Sequence, residues 1–228
     1  MIRPKVIAFD INETVFSLET IRPRLTALGL PATALEVWFA SALRDAFAIA
    51  ITDRFAPFRS VLEGALMSLL STHDLSSTPE AIASVLDGMA ELKPHPDAGE
   101  TFALLSDAGF RLIALSNSPS ASTEGLLRSG GLDRYVKNVL SVDQVQRSKP
   151  RPEVYRYAAE ETGVRLDQLA LVATHAWDTH GAKAVGLFTG FVARRQTYPS
   201  VLLPPDVQGE TLLDVAHALA NLPSSSRP

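Results

Sequence analysis

The chain has 228 residues, 46% of them apolar, and a formal net charge of −4. That is enough apolar material for one sizeable core with a smaller insert, and the charge leaves no basic footprint for nucleic acid. There is no cysteine, which excludes structural disulfides and thiolate-bound metals, and no apolar run near the ~18 residues of a membrane span.

The first element is "VIAFD" (6–10), a short apolar run that reads as a buried strand. In "MIRPKVIAFD" the apolar part is too short for a signal peptide, so a cytoplasmic location is expected. The strand runs directly into Asp10, Asn12, Glu13 and Thr14. Residues 17–93 then carry helical patterns and no clear strand, at about 33–52, 56–72 and 79–91. "KPHPDAGE" (93–100) marks the return to alternation. Helices are expected near 97–108, 120–130, 152–163 and 178–186, between strands at 111–117, 136–142, 169–175 and 187–193. The tail "PSSSRP" is expected to fray. The pattern predicts an α/β fold: a Rossmann-like parallel sheet core with helices on both faces. A helical cap (17–93) is inserted after the first strand of a core formed by 1–16 and 94–228.

Ligands of such sheets bind at the carboxyl ends of the strands. Three of these ends carry polar groups here: Asp10; Ser116 and Asn117; and Thr174 and His175, with Asp178 just beyond. The helix at 33–52 has two stripes of small and apolar residues at 100° per residue. One is Phe39, Leu43, Phe47 and Ala50; the other is Val37, Ser41, Arg44, Ala48 and Ile51. Arg44 has no acid three or four places away, and a buried cation needs a partner. It is expected either to pair structurally elsewhere or to form an anion subsite under the cap.

The polar strand ends resemble the four motifs of the haloacid dehalogenase superfamily. Asp10 to Thr14 resemble the nucleophile motif, "LSNS" (115–118) the second and Lys149 in "SKPRPEVY" the third. "THAWDTHGAKAVGL" (174–187) resembles the fourth. The resemblance covers nearly the whole chain. "AWDTHGAKAVG" and "SVDQVQRSKPRPEVY" are similar to the type II 2-haloacid dehalogenases in particular.

Chemistry favours that branch. A phosphomonoester substrate is a dianion whose alkoxide leaving group needs an acid, and the site needs a metal ion. The phosphatase pattern places a second Asp two residues after the nucleophile and an acidic pair in the fourth motif. Here those places hold Asn12 and Thr174, which leaves few hard ligands for Mg²⁺. Halide leaves as a stable anion and needs no proton, so Asn12 is tolerable. The resemblance therefore implies conversion of short 2-haloacids to 2-hydroxy acids, with no metal or cofactor. Asp10 would attack the carbon bearing the halogen, and water would hydrolyse the aspartyl ester.

The family assigns roles to matching residues. Lys149 would hold Asp10, and Asp178, with His175, would orient or deprotonate the water. Thr14 and Tyr155 would support the site. Ser116 and the amides of Ile11 and Asn12 would bind the substrate carboxylate. Asn117, Phe58 and Trp177 would line the pocket. The expected partners are a haloacid substrate and halide product, with no nucleic acid or membrane, and a homodimer is implied.

Three places depart from the pattern. The nucleophile motif is Asp10-Ile11-Asn12-Glu13-Thr14 where Asp-x-Tyr-Gly-Thr is usual, although a related set of dehalogenase-like sequences carries Asn-Glu. Phe39 follows Trp38 where the family has a cap arginine, and Arg44 lies about 140° further round the helix. Ala173 and His175 stand where Ser and Asn are usual. The alternatives are a Mg²⁺-dependent phosphatase of the same fold and a catalytically idle binding or scaffolding protein. His73, His95, His180 and His217 have no supporting context.

Overall fold

The computed structural model describes residues 3–223. Of the tail "PSSSRP", residues 224–228 lie outside the described residues. In chain order the elements are β1 (Val6–Phe9), β2 (Phe16–Ser17), α1 (Arg22–Ala27), α2 (Ala34–Ile51), α3 (Phe58–Thr72), α4 (Pro79–Asp87) and β3 (Lys93–Pro94). There follow α5 (Ala98–Asp107), β4 (Arg111–Ser116), α6 (Ser120–Ser129), β5 (Val136–Ser141), α7 (Pro152–Thr162) and β6 (Leu169–Ala173). The chain ends with α8 (Ala176–Ala184), β7 (Phe188–Val192), β8 (Val207–Gly209) and α9 (Leu212–Ala220).

Six strands form one sheet in the order β5-β4-β1-β6-β7-β8, and every pairing is parallel. Both faces are covered by helices, so the strands are apolar throughout rather than alternating. Alternation survives in which core each side chain enters. Ile7, Phe9, Leu112, Ala114, Ala170 and Val172 enter the larger cluster, where Phe9 stacks on Phe102 with ring centroids 4.5 Å apart. Val6, Ala8, Ile113, Leu115, Leu171 and Ala173 enter the smaller one with Val154 and Tyr155. This is the two-residue period of a strand.

From β1 the chain moves first to β4 and β5 on one side, then to β6, β7 and β8 on the other. The crevice at such a reversal lies at the carboxyl ends of the flanking strands, here those of β1, β4 and β6. Sequence patterning missed α1, the short β2–β3 pair, β8 and α9. For α9 a signal was present: Thr211 and Asp214 form a capping box ahead of buried Leu212, Val215, Ala216 and Leu219.

Helices α1 to α4 leave and rejoin the sheet region through β2 and β3, which pair antiparallel. The buried stripe of α2 comprises Ala34, Leu35, Trp38, Phe39, Ala42, Ala46 and Ala50. The Trp38 indole N–H donates to the Leu62 carbonyl at 2.9 Å and ties α2 to α3. Arg44 lies two residues from both Ala42 and Ala46, about 200° round the helix from each. It faces solvent with its side chain 69% exposed and pairs with neighbouring Asp45 at 2.9 Å. The expectation of an anion subsite at Arg44 is therefore corrected. Both stripes of α2 are apolar, and the stripe containing Arg44 is the outer one.

Candidate active site

Asp10 follows the last residue of β1, and its amide still donates to the Val172 carbonyl of β6 at 3.0 Å. The carboxylate is therefore fixed by the sheet. Its Oδ1 accepts from Lys149 Nζ at 2.8 Å. Its Oδ2 accepts from the Thr14 hydroxyl at 2.8 Å and lies 3.0 Å from His175 Nδ1. Thr14 is held in turn because its oxygen accepts the Thr174 amide at 3.0 Å.

Lys149 is buried and spends all three ammonium hydrogens. They go to Asp10 Oδ1, to Asp178 Oδ2 at 2.6 Å and to the Leu115 carbonyl at 3.0 Å. Its backbone amide donates to Asn117 Oδ1 at 3.0 Å. Asp178 is completely buried, and its Oδ1 accepts the Tyr155 hydroxyl at 2.6 Å. Both oxygens of Asp178 are thus occupied. Tyr155 is also completely buried, so it anchors Asp178 from beneath and does not present its hydroxyl to the crevice.

The charges explain the titration of the centre. Burial alone opposes ionisation of Asp10, but the Lys149 ammonium and the hydrogen bonds from His175 and Lys149 outweigh it. Its carboxyl lies well below the usual range. Lys149 is raised because Asp10 and Asp178 together overcome its own burial. Burial, aided by the Asp10 charge, lifts Asp178 above the ordinary carboxylate value despite Lys149. Burial and the adjacent Asp178 push the Tyr155 phenol well up.

Asn12 donates through Nδ2 to the Ser118 hydroxyl at 3.1 Å, and Ser116 Oγ accepts the Ser118 amide at 3.0 Å. Among the described residues, the amides of Ile11 and Asn12 donate to no backbone carbonyl. Ile11 itself is buried, and its carbonyl accepts the amides of Val15 and Phe16. Glu13 adopts the left-handed φ of 63°. Its carboxylate accepts the Leu18 amide at 2.8 Å.

Aromatic rings cover the crevice. Phe39 packs 5.9 Å from the His175 ring and meets Phe58 edge-on at 6.3 Å. Trp177 stacks on the other partner face of the cluster, 5.2 Å from His175, with Phe47 edge-on to it at 5.0 Å. The Trp177 indole N–H is buried without a hydrogen-bond partner among the described residues. Beside Phe58, a recess of about 280 Å³ opens between α3, the end of α4 and the start of α6. Its walls include Leu62, Leu86, Met89, Ser118 and Leu126.

Sequence reasoning missed two residues that hold the nucleophile loop from behind. His95 donates from Nε2 to the Glu13 carbonyl at 2.9 Å, and its amide donates to the Val15 carbonyl at 2.9 Å. Arg194 donates to the Thr14 carbonyl at 3.0 Å. Burial, reinforced by nearby Arg194, lowers the His95 imidazole below its ordinary value. Both contacts are to backbone oxygens, which carry no sequence signature. No group of three or more His, Cys, Asp or Glu able to hold a metal occurs among the described residues. None of their helices is long and apolar enough to cross a membrane.

A doubly wound parallel sheet with a carboxylate–lysine–carboxylate centre at its switch point, roofed by inserted helices, is the architecture of hydrolases with an aspartate at the first strand end. The haloacid dehalogenase-like hydrolase family matches residues 4–186, and the chain belongs to that family. It is 27% identical to (S)-2-haloacid dehalogenase 4A of Burkholderia cepacia, over 88% of each chain. It is 32% identical to (S)-2-haloacid dehalogenase 1 of Pseudomonas sp. (strain CBS-3), over 67% of each. A solved dehalogenase with an intermediate complex superposes with a TM-score of 0.88 at 25% identity, covering 97% of this chain and 99% of that one.

Proposed function

We infer that the chain is a hydrolytic dehalogenase that converts short 2-haloacids to 2-hydroxy acids through an aspartyl ester on Asp10. The observation that carries the reading is the carboxylate of Asp10, held ionised by Lys149 and Thr14 under a roof of aromatic rings. The curated relatives named above are (S)-2-haloacid dehalogenases.

An Asp10 oxygen displaces halide from the substrate carbon, forming a C–O bond as the carbon–halogen bond breaks. The free amides of Ile11 and Asn12, with the Ser116 hydroxyl, receive the substrate carboxylate. Phe39, Phe58 and Trp177, with Asn117, surround the reacting carbon and the halide. Phe39 stands where the family has its cap arginine, so the wall on that side is apolar. Residues 17–93 act as the cap. Water then attacks Cγ of the ester and frees the 2-hydroxy acid.

The Mg²⁺-dependent alternative is disfavoured by geometry. Asn12 is bonded to Ser118, and both oxygens of Asp178 are taken by Tyr155 and Lys149. A homodimer is proposed on the family resemblance alone.

The test is halide release from fluoro-, chloro- and bromoacetate and both enantiomers of 2-chloropropionate, with and without EDTA. Release that persists in EDTA is expected, and a strict Mg²⁺ requirement would restore the phosphatase reading. A single turnover in H₂¹⁸O with enzyme in excess should give unlabelled 2-hydroxy acid and label Asp10. Labelled product in that first turnover would remove Asp10 from the covalent role.

A further inference from the structure

We propose that Asp53 is a positioning residue. Held by Arg147 and Arg151, it forms a clamp that seats the carboxyl end of α2, and with it Phe47, on Trp177. Only its effect on turnover rests on the dehalogenase reading above.

Arg147 and Arg151 lie two residues to either side of Lys149. Lys149 pins this segment to the sheet. Its ammonium makes three buried bonds, and its amide donates to Asn117 Oδ1 at 3.0 Å. The Arg151 amide donates to the Ser148 carbonyl at 3.0 Å. The two guanidiniums are thus presented from a fixed base. Both reach one oxygen of the inserted helices: Asp53 Oδ1 lies 3.3 Å from Arg147 and 3.2 Å from Arg151. Among the described residues Arg147 pairs with no other carboxylate, whereas Arg151 also pairs with Glu153.

Asp53 lies just beyond the end of α2 in the left-handed region, φ 58°, which aspartate tolerates better than most side chains. Its amide donates to the Ala50 carbonyl at 3.1 Å. Arg151 Nη1 lies 3.5 Å from the same carbonyl, which puts a cation at the negative end of the helix. Apolar packing leaves this junction incomplete. An open cleft of about 250 Å³ remains between Phe47, Ala50 and Ile51 of α2 and Pro150, Arg151 and Pro152. The ionic clamp spans what those side chains leave unfilled.

The two ends of α2 are held differently. Near its start, Trp38 donates to the Leu62 carbonyl and Glu36 pairs with Arg22 at 2.6 Å, both within the insert. Its carboxyl end is held to the sheet side by the clamp, and Phe47 there meets Trp177 edge-on at 5.0 Å. Without the clamp that end loosens, and the Trp177 wall of the crevice loses its backing. Substrate then binds only the seated fraction, which raises KM. Bound substrate restores the seated state, so kcat is held.

The experiment uses the full chain with Asp53→Asn, which suits the same backbone conformation, and with Arg147→Gln on the sheet side of the clamp. The chain has two tryptophans and Trp38 is 0% exposed, so acrylamide quenching of fluorescence reports Trp177. Quenching should be stronger in both variants at low salt. Added salt should bring the wild type toward the variants, because it screens exposed pairs. With 2-chloropropionate, the KM of Asp53→Asn should rise by about 2- to 30-fold, the worth of two exposed pairs, at unchanged kcat. Adding Arg147→Gln to Asp53→Asn should change little further, because the pair is already broken. Wild-type quenching and KM in Asp53→Asn would overturn the proposal. So would a fall in kcat at unchanged KM, which places the effect on the chemical steps. Should Asp53→Asn fail to fold, Arg147→Gln decides by the same two readouts. If the wild type releases no halide, the dehalogenase reading fails, and quenching still decides the clamp.

Discussion

Removing the Tyr155 hydroxyl isolates one link of the buried centre. Tyr155→Phe keeps the ring, which packs among Val154, Ala158 and Leu171, and deletes the hydroxyl that donates to Asp178 Oδ1 at 2.6 Å and lies 3.2 Å from the Asp178 carbonyl. The bond to Oδ1 has a charged acceptor in a fully buried place, which is typically worth ~1.5–3 kcal/mol. A kilocalorie moves the midpoint of a domain this size by about 2–4 °C, so Tm should fall by about 3–12 °C. The pH dependence has a definite sign. Asp178 already titrates above its ordinary value because of burial, and loss of a donor to its anion raises it further. A carboxyl raised in the folded state binds its proton more tightly there than in the unfolded chain. Its penalty is absent at acid pH and grows as pH rises above the unfolded value of ~3.9. The deficit of the variant should therefore widen between pH 4 and pH 7. Thermal unfolding of wild type, Tyr155→Phe and the half-buried control Tyr157→Phe across this range measures it. A Tyr155→Phe midpoint equal to the wild type at pH 7, or a deficit that shrinks as pH rises, would refute the account of the centre.

Arg44→Ala should leave halide release unchanged, because Arg44 faces solvent and pairs with Asp45; a large loss of turnover would show that the residue reaches the crevice. His95→Gln keeps a donor for the Glu13 carbonyl but removes a titrating ring. The His95 value is depressed in the fold, so the unfolded chain binds the proton more readily and wild-type stability is lost as pH falls below ~6.5. The wild-type advantage over the variant in chemical denaturation should therefore shrink on acidification through that window; a difference independent of pH would leave His95 without a linked proton.

The strands and the residues at their ends were legible because each signal was local. Asp10, Ser116 and Thr174 stand where apolar runs stop, and a parallel sheet gathers such ends on one side. Lys149 and Asp178 followed from motif context, and the structure brings both to Asp10. The orientation of α2 was not legible. The second stripe carries Ser41 and Arg44 among small and apolar residues, and packing against α3 and the His175 ring sets Phe39 facing in and Arg44 out. The same holds for Asp178: its position could be read, but the hydroxyl that binds its Oδ1 belongs to Tyr155, 23 residues earlier in the chain. His95 and Arg194 were invisible for a different reason. They bind carbonyl oxygens, which every residue has.

The joint between sheet and inserted helices has a consequence for engineering and descent. The outgoing chain at Glu13 and Val15 and the returning chain at His95 are fastened by two hydrogen bonds of 2.9 Å, just beside the two-residue strands β2 and β3. Everything between those strands enters and leaves through one narrow doorway whose frame belongs to the nucleophile loop. The insert is thus a cassette with fixed ends. The insert is also tied to the sheet side through Asp53 with Arg147 and Arg151 and through Phe39 with His175. Grafts that preserve Phe16–Ser17, Lys93–His95 and these contacts are expected to keep the buried lysine centre while changing what roofs it.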